Sequence, residues 1–262
     1  MVTGYRIHIS PIGYDNERVW RPLLDPKADK VYLITKKGED HAKKYVEGVI
    51  QSLNEHKIPF VEKKCSIDDL AEVLGLYRKI FQAEAGNSIL VNVSTGSKIM
   101  AIAGMMACMM WNGEPYYVVP DRYEGEQIAH GMKEKKPLPH YRIDKPPEAI
   151  VELTMFLDEK GAAGASKKSI IRRLKSKGFL TIIPQEREPD EEVHLNAKKG
   201  KKREGPSPQA EYKALEERVL RPAREEWKFT REVGKGKSQR IFITEEGKTA
   251  VLVFGDKTTN HE

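Results

Sequence analysis

Ser88-Ile-Leu-Val-Asn-Val-Ser-Thr-Gly-Ser-Lys98, continuing directly into Ile99-Met-Ala-Ile-Ala-Gly-Met-Met-Ala-Cys-Met-Met-Trp111, reads as a buried strand, a polar turn and an apolar helix. Ile89, Leu90, Val91 and Val93 make a short β-favouring run that suits a strand covered on both faces. Asn92, Ser94, Thr95, Gly96, Ser97 and Lys98 then crowd an amide, hydroxyls, a glycine and a cation into the strand-to-helix turn. Such a turn presents free backbone N–H groups at a helix N-terminus and favours an anion, most often a phosphate. The plainer alternative is a helix cap, a role open to any hydroxyl from Ser94 to Ser97. No charged residue occurs from Ile99 to Trp111, so the helix is expected to be buried on nearly all sides, against the sheet or against a second copy. It is shorter than the roughly 20 residues a bilayer requires, and its methionines suit gap-filling.

Working outward, strand and helix patterns alternate through the first half. Tyr5–Ser10 reads as the first strand, stopped by the turn Ser10-Pro-Ile-Gly13, after which Asp15 can cap a short helix. Lys30–Thr35 is a second strand, 39–56 a helix with Ala42, Val46, Val49, Ile50 and Leu53 on one face, Pro59–Lys63 a third strand, and 67–85 a third helix. Pro115–Pro120 is a fifth strand after the quoted stretch. This alternation, with short connections, predicts an α/β fold with a doubly wound parallel sheet. In such a sheet the order reverses between strands one and four, and ligands sit beyond their carboxyl ends. The turns at Ser10–Asp15 and Asn92–Lys98 are therefore expected to meet at one crevice.

Neither turn is a G-x-G-x-x-G, and Thr35-Lys36-Lys37 stands where a dinucleotide fold would place an acidic residue, so NAD binding is disfavoured. A P-loop is missing as well. The formal charge of +6 makes an acidic partner plausible without demanding one. Cys65 and Cys108 show no metal or redox spacing and read as reduced and structural, and the histidines show no zinc or triad pairing. No metal or cofactor is expected. The sequence shows no signal peptide and no membrane span, so a cytoplasmic protein without a membrane partner is expected.

Asn92-Val-Ser94-Thr95-Gly96-Ser97-Lys98-Ile-Met100 is similar to the Asn-x-Thr-Gly-Gly-Thr-Lys-x-Met signature after the fourth strand of CRISPR-associated Rossmann-fold (CARF) domains, and the element order over about residues 3–125 agrees with it. Thr95 stands where many members have the first glycine, and Ser94 and Ser97 replace threonines. The resemblance implies a homodimer that binds a cyclic oligoadenylate or related nucleotide, with Ser10, Gly13, Asn92, Ser94, Thr95, Gly96, Ser97 and Lys98 lining the ligand. Some relatives cleave the ligand with a hydroxyl and a lysine at these turns, which here would be Ser10 and Lys98. Binding without catalysis is the expectation.

Residues 126–147 become polar and proline-rich and are expected to be a linker between a first domain, 1–125, and a second, 148–262, although an edge strand could remain near 127–131. From Glu148 a helix runs to Gly161, and Ser166 caps another with Ile170, Ile171 and Leu174 inside. A charge-dense stretch between Pro184 and Pro208 is most simply a loop. A long helix then runs from Pro208 to about Glu226, with Pro222 near its end expected to bend or end it. Trp227–Val233 and Arg240–Thr244 make a hairpin around Gly234-Lys-Gly-Lys-Ser-Gln, and a Thr244-capped helix closes the pattern. This order resembles the winged helix-turn-helix domains of archaeal and bacterial regulators, and DNA is the partner it implies. Lys213 and Arg218 on the long helix, with Lys235, Lys237 and Arg240 at the hairpin, are the candidate contacts to DNA. From residue 146 onward there are 24 Lys/Arg against 20 Asp/Glu, the larger share of the basic excess. The chief alternative is a CARF-type effector or ring nuclease, for which Arg187 and His194 have the Arg-x6-His spacing of HEPN ribonucleases. The reading favoured is a ligand-responsive transcription regulator.

Overall fold

The computed structural model describes residues 4–124, 128–181 and 207–255. These divide into two compact units, one up to Lys145 together with Leu252–Phe254, the other from Pro146 to Val251 together with Gly255.

The first unit is built on a six-stranded sheet of order β3-β2-β1-β4-β5-β8. Its strands are β1 (Arg6–Pro11), β2 (Lys30–Lys36), β3 (Phe60–Cys65), β4 (Ser88–Asn92), β5 (Glu114–Val119) and β8 (Glu134–Pro137). β1 to β5 run parallel, and the order turns back between β1 and β4, as the alternation predicted. Residue alternation along the strands separates two cores. Ile7, Ile9, Ile34, Ile89 and Val91 pack with α3 (Leu70–Ala83) and α4 (Lys98–Trp111). Val31 and Leu33 pack with Val19 of α1 (Glu17–Trp20) and with Val46, Val49 and Leu53 of α2 (Lys43–Glu55). Cys65 and Cys108 are free and buried, and burial lifts their thiols to about 11 and about 12.

Two expectations change. α4 is buried along one stripe (Met100, Ala103, Gly104, Ala107, Cys108 and Met110), but Ile102 on its other side is 50% exposed. The expected linker contains structure: β6 (Arg122–Glu124) and β7 (Ile128–His130) form a hairpin, and β8 pairs antiparallel with β5. An edge strand tolerates lysine and proline, so Glu134-Lys-Lys-Pro137 looked like a linker while serving as the rim of the sheet.

The second unit opens with α5 (Glu148–Lys160), stopped at Gly161, and α6 (Lys167–Ser176), whose cap Ser166 accepts a hydrogen bond from the Ser169 N–H. The third helix, α7 (Pro208–Leu215), does not stop before Pro222. It passes through a wide π turn at Glu216–Leu220 into α8 (Arg221–Glu225), which relieves the clash a proline makes in a regular helix. β9 (Thr230–Val233) and β10 (Arg240–Ile243) form the antiparallel wing, and Ala165 makes one further bridge to Ile241. The closing helix α9 (Glu245–Phe254) is capped by Thr244. Ile150, Leu153, Ile170, Leu174, Leu215 and Val219 are fully buried, which makes this a cored winged helix. Most of the charged stretch between Pro184 and Pro208, including Arg187 and His194, lies outside the described residues.

Candidate functional site

β1 and β4 are neighbours, with Ile9 opposite Val91, so the turns that follow them leave the sheet at the same end. The two turns touch through their backbones. A Cβ added to Gly13 would lie 3.2 Å from both the N and Cα of Gly96. Gly96 has φ +81, and a Cβ there would fall 2.6 Å from Cβ of Pro11. The Thr95 hydroxyl donates to the Pro11 carbonyl at 2.6 Å and ties the turns together. Sequence positions some eighty residues apart therefore share one mouth.

The residues expected to line it play different parts. Ser10 and Asn92 are wholly buried and Thr95 nearly so, which places their side chains inside the fold in this structure. β1 runs on through Pro11, so Ser10 is an inward-facing strand residue and not part of the turn. Asn92 donates from Nδ2 to the Arg18 carbonyl at 2.8 Å, and its Oδ1 accepts from the Ser94 N–H at 2.9 Å and the Ser94 hydroxyl at 2.7 Å. Ser94 Oγ in turn accepts from the Val118 N–H at 2.5 Å. These groups stitch β4, β5 and the start of α1 together. Ser97 caps α4, accepting from the Met100 N–H at 3.2 Å and donating to the Ile67 carbonyl at 2.9 Å.

Gly13, Ser94, Gly96, Ser97 and Lys98 remain at least partly open to solvent. Lys98 is exposed and makes no ion pair among the described residues, at the N-terminus of a 14-residue helix. Exposed glycine backbone at a helix N-terminus with one exposed cation suits an anion that approaches the backbone closely.

Beneath the mouth lies a polar layer. Arg18 pairs with Asp15 and donates to the Val118 carbonyl at 3.2 Å. Burial lifts the Asp15 carboxyl above its ordinary value against the opposing pull of Arg18. His8 Nδ1 lies 3.1 Å from the Tyr116 hydroxyl. Burial, helped by Lys135 and Arg6, pushes the His8 pKa down to about 3, so its imidazole is neutral near pH 7. One residue at the rim escaped the sequence reading: Tyr14, directly after Gly13, is 60% exposed. Its signal was an aromatic inside a turn judged for its glycine and hydroxyls.

In the second unit Lys213, Arg218, Lys235 and Arg240 are all exposed and make no ion pair among the described residues. Lys237 belongs to the one-turn 3-10 helix Gly236–Ser238 between the wing strands. Acidic neighbours are engaged by other cations. Glu211 pairs with Lys175 at 2.7 Å, Glu216 with Lys167 at 2.7 Å and Arg224 at 3.1 Å, and Glu232 with Arg224 at 2.9 Å. Arg221, one turn beyond Arg218, is also exposed and was missed, although its i, i+3 spacing could have flagged it. No helix among the described residues is long and apolar enough to cross a membrane. Among the described residues no group of three or more His, Cys, Asp or Glu could hold a metal ion.

Residues 6–123 match the family described as HFX_2341_N-like, N-terminal, and residues 150–255 match the DUF6293 C-terminal winged helix domain. The uncharacterized protein MJ1513 of Methanocaldococcus jannaschii is 30% identical over 142 residues, 50% of this chain and 41% of that one. Among solved structures, Enterococcus italicus Csm6 bound to cyclic hexa-2'-fluoro-hexa-dAMP aligns with TM-score 0.41 and 16% identity, over 67% of this chain and 51% of that one. Can2 from Sulfobacillus thermosulfidooxidans in complex with cyclic tetra-adenylate aligns with TM-score 0.41 and 12% identity, over 96% and 64%. VC1899 from Vibrio cholerae aligns with TM-score 0.38 and 15% identity, over 95% and 64%. The chain spans less than half of the curated relative and about half to two thirds of these solved chains.

Proposed function

We propose, from the premise that the chain joins an HFX_2341_N-like N-terminal domain to a DUF6293 C-terminal winged helix domain, that it is a ligand-responsive transcription regulator. A nucleotide held at the N-terminal mouth alters the affinity of the winged helix for DNA. The observation that carries the reading is the close approach of Gly13 to the Gly96 backbone at the N-terminus of α4, beside an exposed Lys98 that makes no ion pair among the described residues. The ligand class, a cyclic oligoadenylate, comes from the likeness of Asn92–Met100 to the CARF signature.

A homodimer is part of the proposal, supported by the uncharged run from Ile99 to Trp111 and the half-exposed Ile102 within it. Binding without cleavage is supported by Ser10, whose hydroxyl is enclosed in β1 and shut off from a ligand at the mouth. DNA contact is supported by the exposed Lys213, Arg218, Lys235 and Arg240, and a regulator of this kind works in the cytoplasm, where the DNA is. Coupling requires the ligand to bind two states of the protein with different affinity.

The test is to titrate cyclic tetra-adenylate and follow, by fluorescence anisotropy, binding to the DNA upstream of the protein's own coding sequence. A change of about fivefold or more is expected from ordinary coupling energies. Unchanged DNA affinity at saturating ligand removes the regulatory reading, and ligand-dependent RNA degradation in the same mixture replaces it with that of an effector nuclease.

A further inference from the structure

We infer that Tyr14 is the base-stacking residue of the N-terminal mouth, so that the ligand is selected through a nucleobase as well as through its phosphates. The inference rests on the nucleotide reading above and adds to it the part of the ligand that no glycine or lysine can recognise. Tyr14 follows Gly13, whose Cα region is in contact with the Gly96 backbone, so its main chain sits at the rim of the opening. Its ring is 60% exposed, and it stands edge-to-face with Tyr45, centroids 5.8 Å apart and planes at 89°. Among the described exposed tyrosines (Tyr5, Tyr14, Tyr123, Tyr141 and Tyr212), Tyr14 alone has a second aromatic ring bracing it.

That brace matters physically. A surface tyrosine without a neighbour samples several rotamers and loses that freedom when a base settles on it, whereas a ring already held by another ring loses less. Lys44 Nζ lies 5.0 Å from the Tyr45 ring centroid, which adds positive charge beside the pair. The arrangement is therefore aromatic at the rim, main-chain N–H at the base and cationic on the flank. Stacking tolerates any base because every base has a π face, so Tyr14 demands a nucleobase without choosing which one.

The experiment compares wild type, Tyr14→Ala, Tyr14→Phe and Lys98→Ala by calorimetric titration with cyclic tetra-adenylate and, as a base-free polyanion, inorganic tripolyphosphate. Tyr14→Ala is expected to lose about 10- to 100-fold in affinity for cyclic tetra-adenylate, the range that removing one stacked base covers. Tripolyphosphate binding by that variant stays at the wild-type level, and Tyr14→Phe, which keeps the ring, stays within about twofold for both probes. If Tyr14→Ala binds cyclic tetra-adenylate as wild type does while Lys98→Ala weakens it, the stacking inference falls and the nucleotide reading stands. Equal weakening of both probes by Tyr14→Ala also overturns it, since the ring would then only shape the turn. A wild-type protein that binds no cyclic tetra-adenylate removes the nucleotide reading and this inference with it. The ring's exposure makes Tyr14→Ala a mild change for folding, and Tyr14→Phe controls for what remains.

Discussion

The turns around Gly13 and Gly96 and the winged helix both expose cations, yet they are built in opposite ways. At the crevice the polar side chains are consumed: Asn92, Ser94 and Thr95 hold the turns in place, and what faces solvent is largely glycine backbone, with Lys98 as the cation beside it. At the winged helix acidic side chains are tied up in ion pairs, and the exposed groups are long flexible cations. Recognition by backbone depends on shape, so a single misplaced atom removes it. Recognition by solvated lysines and arginines depends on summed charge, so it is lost in small steps and weakened by salt.

The sharpest attempt to break this contrast is Gly96→Val. Any side chain there meets Pro11 and Met100 in a backbone conformation that only glycine adopts easily, at a cost of about 1–3 kcal/mol, and the turn relaxes by moving away from Gly13. Affinity for cyclic tetra-adenylate is expected to fall about 100-fold or more, which is roughly 2.7 kcal/mol, with DNA affinity in the absence of ligand unchanged. Equal loss of DNA binding would show that the two regions are not independent surfaces. Lys98→Ala removes one charged donor and keeps the turn, so calorimetry should read a smaller loss, about tenfold.

The difference between the regions also explains what was legible in the sequence. Periodicity and turn chemistry gave the strand order and the meeting of the two turns, because Ile7 to Val93 alternate with few conflicting signals. Side-chain roles at the crevice were harder. Asn92 and Thr95 have the composition of ligand-binding residues, but the same donors serve equally well to fasten loops, and only the three-dimensional partner decides. The first strand ends at Pro11, one residue beyond its expected end at Ser10, and Ser10 is enclosed. In the winged helix the exposure of the cations was easier to expect, since solvated residues need no specific neighbour. The extent of the third helix, to about Glu226, was legible, but the π turn by which it passes Pro222 was not, because a π turn has no residue signature of its own.

The ion pairs of the winged helix offer a test of intermediate size. Lys167, Glu216, Arg224 and Glu232 join α6, the third helix and β9, and their side chains are 22–34% exposed. Pairs screened to that degree contribute little singly, so Arg224→Ala, which breaks the pairs with Glu216 and Glu232 and a third with Glu225, is expected to cost about 1 kcal/mol in urea denaturation. Burial alone would raise the Glu216 pKa, but hydrogen bonds from Lys167 and Arg224 outweigh it and hold the carboxyl below its ordinary 4.5. A carboxylate depressed on folding stabilises the protein above its unfolded value, and that contribution disappears as pH falls through the folded one. The variant should therefore lose less stability than wild type on acidification from pH 5 downward. An identical pH profile would mean that Glu216 does not depend on Arg224.

The smallest single effects are expected at the exposed cations of the winged helix, and their pattern is what sharpens the comparison. Lys213→Ala, Arg218→Ala, Lys235→Ala and Arg240→Ala should each weaken DNA binding by only about two- to fivefold, because each removes one phosphate contact from several. Each should also reduce the slope of log affinity against log salt by about 1, and variants at separated positions should add. Neither slope nor affinity for DNA should respond to Lys98→Ala without ligand. A cation whose loss lowers affinity about equally for all DNA sequences and lowers the slope contacts the backbone. One whose loss relaxes preference at a single base pair, with the slope little changed, reads a base edge. Arg218, on the third helix, and Lys235, beside the wing turn, are the pair most worth separating this way, because a helix in the major groove can reach base edges that a hairpin tip on the phosphates does not.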